Sequence, residues 1–249
     1  MKKIISTLAF VLLCAFAFSQ NGSVLEYKIS STNGTGGSLK LSVSEYGSIS
    51  VFNMVIPQMP GGGMTMKHLC MTQSPDVVYM INDNNKTYSE TKPDNVALTG
   101  VSYSAKKLGE ETVNGYKCVH ALVTEGTESH EVWYTKDIPD YEKYARSFKS
   151  NKRMYSEQRE RALKAAGCEG LPVKTVHKGN VREGDMTMEL VKVEKKAFSA
   201  SDFQIPSGYT KTESANSAAP QFKSQQELMN MSPEERAKYA EEMKKKYQK

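Results

Sequence analysis

From Val24 to Thr135 apolar and polar residues alternate with a period of two, and that pattern dictates antiparallel sheet. Successive side chains on a strand point to opposite faces. "VLEYKIS" therefore puts Leu25, Tyr27 and Ile29 on one side, and "LKLSVS" does the same with Leu39, Leu41 and Val43. "ISVFNMVI", "VVYMIN" and "KTYSE" continue the series, the last two joined across "NDNN", a natural turn. "ETVNGYKCVHALV" carries Asn114-Gly115 between alternating arms, the pair best suited to a hairpin turn whose two central residues need positive φ. "HEVWYTKDI" adds another strand and the only tryptophan, Trp133.

The period then changes. Tyr141, Tyr144, Ala145 and Phe148 fall at helical spacing, and Tyr155, Ala162, Leu163 and Ala166 extend the stripe. This predicts one long helix, or two joined near Ser150, stopped by Gly167 at its C′ position. Strands resume in "LPVKTVHK" and "DMTMELVKVEK" across "GNVREG", and "FQIPSGY" closes the domain near Tyr209. Many strands with a helix inserted late define an α+β domain over residues 20–210, a strongly curved antiparallel sheet with the helix packed in its concave side. Residues 211–231 are too poor in apolar side chains to pack and read as a linker. Residues 232–249 form a charged helix, with Ser232 as N-cap, Pro233 at its first turn and Glu235 completing a capping box.

The N-terminus predicts export. Lys2 and Lys3 precede an apolar run from Ile4 to Phe18, and the small residues around Ser19 suit cleavage there. The run is shorter than the roughly 20 residues a spanning helix needs. A lipid anchor on Cys14 would want a small residue before it, where Leu13 stands. The expected location is the periplasm or the medium. Loss of Lys2 and Lys3 would take the formal charge from +5 to +3, too weak a balance to argue for nucleic acid. Cys70, Cys118 and Cys168 would remain, an odd number that allows at most one internal disulfide. Cys168 ends a helix expected to pack over the sheet, which favours Cys118 as its partner.

"VNGYKCVHALV", "HEVWYTKDI", "GLPVKTV" and "DFQIPSGY", in that order around the helix, resemble the exported bacterial domain-of-unknown-function family numbered 4412. That family looks related to the LolA/LolB lipoprotein-carrier superfamily. The resemblance covers about residues 24 to 210 and implies an open half-barrel whose helices plug an apolar cavity; it brings no catalytic signature.

No linear motif of an enzyme is present: no G-x-S-x-G, no H-E-x-x-H, no C-x-x-C and no phosphate-binding loop. "GTGGS" at 34–38 reads as a strand connection, and no cofactor is implied. The stretch "GGGMTMKHLCM" supports two readings. As a strand it puts Met64, Met66, His68 and Cys70 on one face, and Met186, Met188 and Leu190 alternate likewise on a late strand. With Tyr144 and Phe148 from the helix, these methionines and Leu190 would line a pocket for a lipid, acyl chain or other apolar molecule, where methionine is adaptable filler. Thioether, imidazole and thiolate are also the ligands of soft copper. His68, Cys70, Cys118 and His120 would supply four ligands if their strands were neighbours, although a straight row of strand residues cannot converge on one ion. A third possibility is an envelope structural or assembly factor that meets a protein partner, or a membrane surface, through the basic helix or the tail.

Overall fold

The computed structural model describes residues 21–55, 63–91, 102–142, 144, 157–179 and 184–212, and positions 232, 234, 235, 238, 239 and 241. The export segment, Phe148, the middle of the predicted helix, Gly61, Gly62 and the linker from 213 to 231 lie outside these residues.

Twelve strands form one sheet among the described residues. In chain order they are β1 (Gly22–Ser31), β2 (Gly36–Ser44), β3 (Gly47–Val55), β4 (Gly63–Met71), β5 (Val78–Asn82), β6 (Thr87–Thr91), β7 (Tyr103–Val113), β8 (Tyr116–Glu125), β9 (Glu128–Thr135), β10 (Leu171–His177), β11 (Met186–Lys196) and β12 (Thr210–Lys211). A helix, α1 (Glu157–Ala165), and a short 3-10 turn (Ala200–Phe203) complete the order. The spatial order is β12-β6-β5-β4-β3-β2-β1-β11-β10-β9-β8-β7, so the sheet does not close into a barrel. Every pairing is antiparallel except β12 with β6. The chain meanders outward from β1 through β6, and β7 to β11 return to the other side of β1. This is an α+β architecture, as the change of period implies.

Local sequence accounts for the turns. Asn114 (φ 51°) and Gly115 (φ 84°) take the paired positive φ of the expected hairpin. Gly167 (φ 65°) sits just past α1, where Cys168 N–H donates to the Leu163 carbonyl at 2.8 Å and Gly167 N–H to that of Lys164 at 3.1 Å. That pair of bonds is a Schellman cap. In the tail, Glu235 N–H donates to Ser232 Oγ (3.1 Å) and Ser232 N–H to Glu235 Oε2 (2.7 Å), the reciprocal capping box read from the sequence.

Three apolar clusters hold the sheet. The first joins Leu25, Tyr27, Ile29, Leu39, Leu41, Val43, Leu171, Val173 and Leu190 to Cys118, Trp133, Ile138 and Tyr144. Tyr144, in a helical turn with Tyr141, is 1% exposed and donates its hydroxyl to Ser23 Oγ at 2.7 Å. The second cluster lies on the opposite face of β4 and β5, where Leu69, Met71, Tyr79 and Ile81 pack under Phe203, Phe198 and Ile205. It explains why Leu69, Cys70 and Met71 are buried in succession: both faces of that strand end are covered. In the third, Leu163 and Ala166 near the end of α1 pack on Ala121, Val123, Val132, Tyr134 and Cys168.

The hairpin between β7 and β8 reaches far across the sheet. Asn114 Nδ2 donates to the Leu190 carbonyl on β11 at 3.0 Å, and Val113 and Tyr116 pack on the first cluster. β9 and β10 separate β8 from β11, a span of roughly 14 Å at ordinary strand spacing. The hairpin end folds over those strands to make that bond.

Candidate functional site

Register shows which side chains share a face. One row across the sheet runs Met66, Phe52, Leu39, Tyr27 and Leu190, on β4, β3, β2, β1 and β11. The next runs Met64, Met54, Gly37, Ile29, Met188, Thr175, Val132 and Ala121. Met186 begins a third, opposite Ser31 and His177. The predicted lining residues Met64, Met66, Met186, Met188 and Leu190 therefore belong to one face, although β4 and β11 are far apart in sequence. Tyr144 packs on the same face through Ser23 and the first cluster. So does α1, over Val132 and Ala121.

Burial divides that set. Leu190 (2% exposed) and Tyr144 are core. Met64, Met66 and Met188 are half-buried, and Met186 is 43% exposed. The partly open strip thus consists of the methionines, with Phe52 and Met54 as half-buried neighbours on β3. Gly37 interrupts it. A Cβ there would overlap the Asn53 carbonyl oxygen of the neighbouring strand, so the position must stay bare. The result is a notch between Met54 and Ile29. The glycines read from sequence as a connection thus lie partly within β2, where Gly36 and Gly37 begin the strand.

The soft-metal set is dispersed. His68 and Cys70 lie on β4, Cys118 and His120 on β8, and six strands stand between them. The condition that these strands be neighbours is not met. Among the described residues no group of three or more His, Cys, Asp or Glu side chains is placed to hold a metal. His68 faces Ser50 and Met80, and burial lowers its pKa below 6.5. Burial raises the Cys70 thiol, against which a Ser48 hydrogen bond acts. Cys70, Cys118 and Cys168 are free, buried thiols. The expected Cys118–Cys168 bridge is not formed, because Cys118 packs in the first cluster and Cys168 in the third. Packing of the helix end on the sheet was legible; which strand side chain it meets depended on the face each cysteine takes.

His120 belongs to a different arrangement. Its ring stacks on Trp133 with centroids 4.1 Å apart, and Nε2 meets Glu131 Oε2 at 2.8 Å. Trp133 Nε1–H donates to Glu111 Oε1 at 2.6 Å, and Lys174 Nζ lies 5.1 Å from the centre of that indole. Sequence reasoning did not find this cluster, since its members come from β7, β8, β9 and β10 with no local spacing in common. Met54 and Phe52 did carry a signal, the alternation in "ISVFNMVI", but joining them to Met64 required the strand register.

The fold and this face define an α+β protein built on one open, mostly antiparallel sheet with an apolar, methionine-rich strip. The chain belongs to the family "Domain of unknown function (DUF4412)", which matches residues 23–209. No curated protein matches it. Two solved structures of PNGF-II, in C2 and P21 space groups, are 14% and 15% identical with TM-scores of 0.39 and 0.40. Each aligns with 78% of this chain and with 31% and 32% of the PNGF-II chains, so the present chain spans about a third of their length. An uncharacterized conserved protein from Thermus thermophilus is 6% identical with a TM-score of 0.43, covering 77% of this chain and 90% of that one. Likenesses of that depth define neither fold nor activity for this chain.

Proposed function

We propose that this is a non-enzymatic binding protein of the periplasm or medium that holds a lipid, acyl chain or other apolar molecule against the methionine strip, the sheet acting as an open half-barrel. The observation that carries the reading is the convergence of Met54, Met64, Met66 and Met188 from three strands onto one face around the bare position at Gly37. Thioether side chains are flexible and polarisable, so they accommodate chains of varied shape without a specific polar contact. Each buried methylene contributes about 0.8 kcal/mol, and a long acyl chain can therefore bind through area alone once the cost of immobilising it is met. The folding of the Asn114 hairpin toward Leu190 supports curvature of the sheet, and the LolA-like resemblance points the same way. Export follows from the N-terminal pattern, and among the described residues no helix is long and apolar enough to cross a membrane.

The test is solvent extraction of purified protein with mass spectrometry of the extract, beside uptake of a fluorescent fatty acid. Wild-type protein should yield a lipid or take up the probe, and Met66→Lys should weaken uptake by placing a charge in the strip. No extracted lipid together with no uptake by wild type would exclude the reading.

A further inference from the structure

The third row of the same face has a chemistry that the apolar reading does not use. It passes from Met186 on β11 to His177 on β10 and His130 on β9, then to Val123 on β8. His177 is the direct cross-strand partner of both Met186 and His130, a relation that sets Cβ atoms about 4.5–5.5 Å apart. The imidazole centroids of His130 and His177 are 6.0 Å apart with planes inclined at 45°. A ligating imidazole at a metal–nitrogen distance of about 2.0 Å places its ring centre roughly 3 Å from the ion, so two on opposite sides of one ion are about 6 Å apart. A separation of 6.0 Å is therefore within the reach of one ion bound by both rings.

We propose that His130 and His177, with the Met186 thioether as third donor, bind one soft monovalent cation, Cu(I) in nature and Ag(I) as its probe. Imidazole and thioether together favour that class of ion over hard cations, which take oxygen ligands. Zinc is disfavoured for the same reason: its sites draw on cysteine, histidine and carboxylate, and the third donor here is a thioether. Both rings are half-buried and Met186 is open to solvent, so an ion or its carrier can reach the row.

Charges of both signs surround His130. Burial lowers the His130 pKa first, and the Arg159 and His177 charges add to the effect, while Glu125 and Glu128 oppose it. The two carboxylates offset the Arg159 charge that an incoming cation would meet. Beside the row, Lys178 is paired with Asp185 at 3.2 Å. This site differs from the copper set read from the sequence, which named His68, Cys70, Cys118 and His120. It stands or falls independently of the apolar ligand.

The experiment is anaerobic titration of the purified protein with Cu(I) against a chromophoric Cu(I) chelator, with variant folding checked by thermal melting. One equivalent should bind, and His130→Asn with His177→Asn should lower affinity by more than the roughly 10–100-fold that loss of a merely supporting residue costs. Fatty-acid uptake by that double variant should stay at the wild-type level, which separates failure of this proposal from failure of the lipid reading. Binding that persists in the double variant, or that is lost instead in His68→Asn with Cys70→Ser, overturns the proposal. If the variants fail to fold, the wild-type protein decides: its four histidines give few imidazole signals, and Ag(I) should shift those of His130 and His177. Shifts confined to His68 or His120, or none at all, overturn it equally.

Discussion

Asn114 and Leu190 are 76 residues apart in sequence, yet the Asn114 amide donates to the Leu190 carbonyl oxygen at 3.0 Å. One side chain here does two jobs. It accepts a positive φ that most residues resist, and it ties the far hairpin to the strand beside β1. Asn114→Gly keeps the turn and removes the tie, whereas Asn114→Ala removes both. Urea unfolding should show losses of about 1 kcal/mol for glycine and about 2 kcal/mol for alanine. Equal losses would show that the bond to Leu190 carries all of the effect.

Tyr144 and Ser23 form a buried hydroxyl pair at 2.7 Å that fixes the helical turn on β1. Tyr144→Phe should cost about 1–3 kcal/mol, because Ser23 Oγ is then left buried without this donor. Ser23→Ala in the same protein should recover part of the loss, and a double-mutant cycle should give a coupling of about 1 kcal/mol. Additive effects would mean that the pair contributes only through packing.

The half-buried histidines His68 and His130 predict a pH dependence. His68 and His130 both have pKa values below 6.5 in the folded chain, chiefly because burial disfavours the imidazolium ion. The unfolded chain therefore takes up these protons first as pH falls. Stability is complete above the unfolded value and declines as pH drops through it toward the folded values. Urea midpoints measured with a chelator present should fall between about pH 7 and about pH 5.5, and the fall should be smaller in His68→Asn with His130→Asn. An unchanged slope in that variant would assign the effect elsewhere.

Cys70, Cys118 and Cys168 are free, buried, and raised in pKa chiefly by burial, so each is a poor thiolate. The native protein should react slowly with a thiol reagent at neutral pH, and all three should react at once in denaturant. Peptide mass mapping under non-reducing conditions should show no link between Cys118 and Cys168. A bridged peptide would require the third cluster to repack.

Alternation alone fixed most strands, because a half-buried sheet forces a period of two wherever one face meets a core. β7 departs from that rule for a physical reason. It is an edge strand exposed along much of its length, with a bulge between Lys107 and Gly109, and the sequence pattern identified only its end near Glu111. The caps at Gly167 and Ser232 and the Asn114-Gly115 turn were equally legible, since each depends on the residue's own backbone preference and on partners within five residues.

What the sequence determined by itself was therefore the inventory: strands, turns, helix ends, and the faces on which Met64, Met66, Met186 and Met188 lie. Tertiary structure alone decided adjacency. It placed six strands between His68 and His120, set Met54 beside Met64, and brought His130 opposite His177. The physical reason is range. Backbone preferences and periodicity act over a few residues, whereas register between distant strands is chosen by burial of whole faces and leaves no mark at any single position.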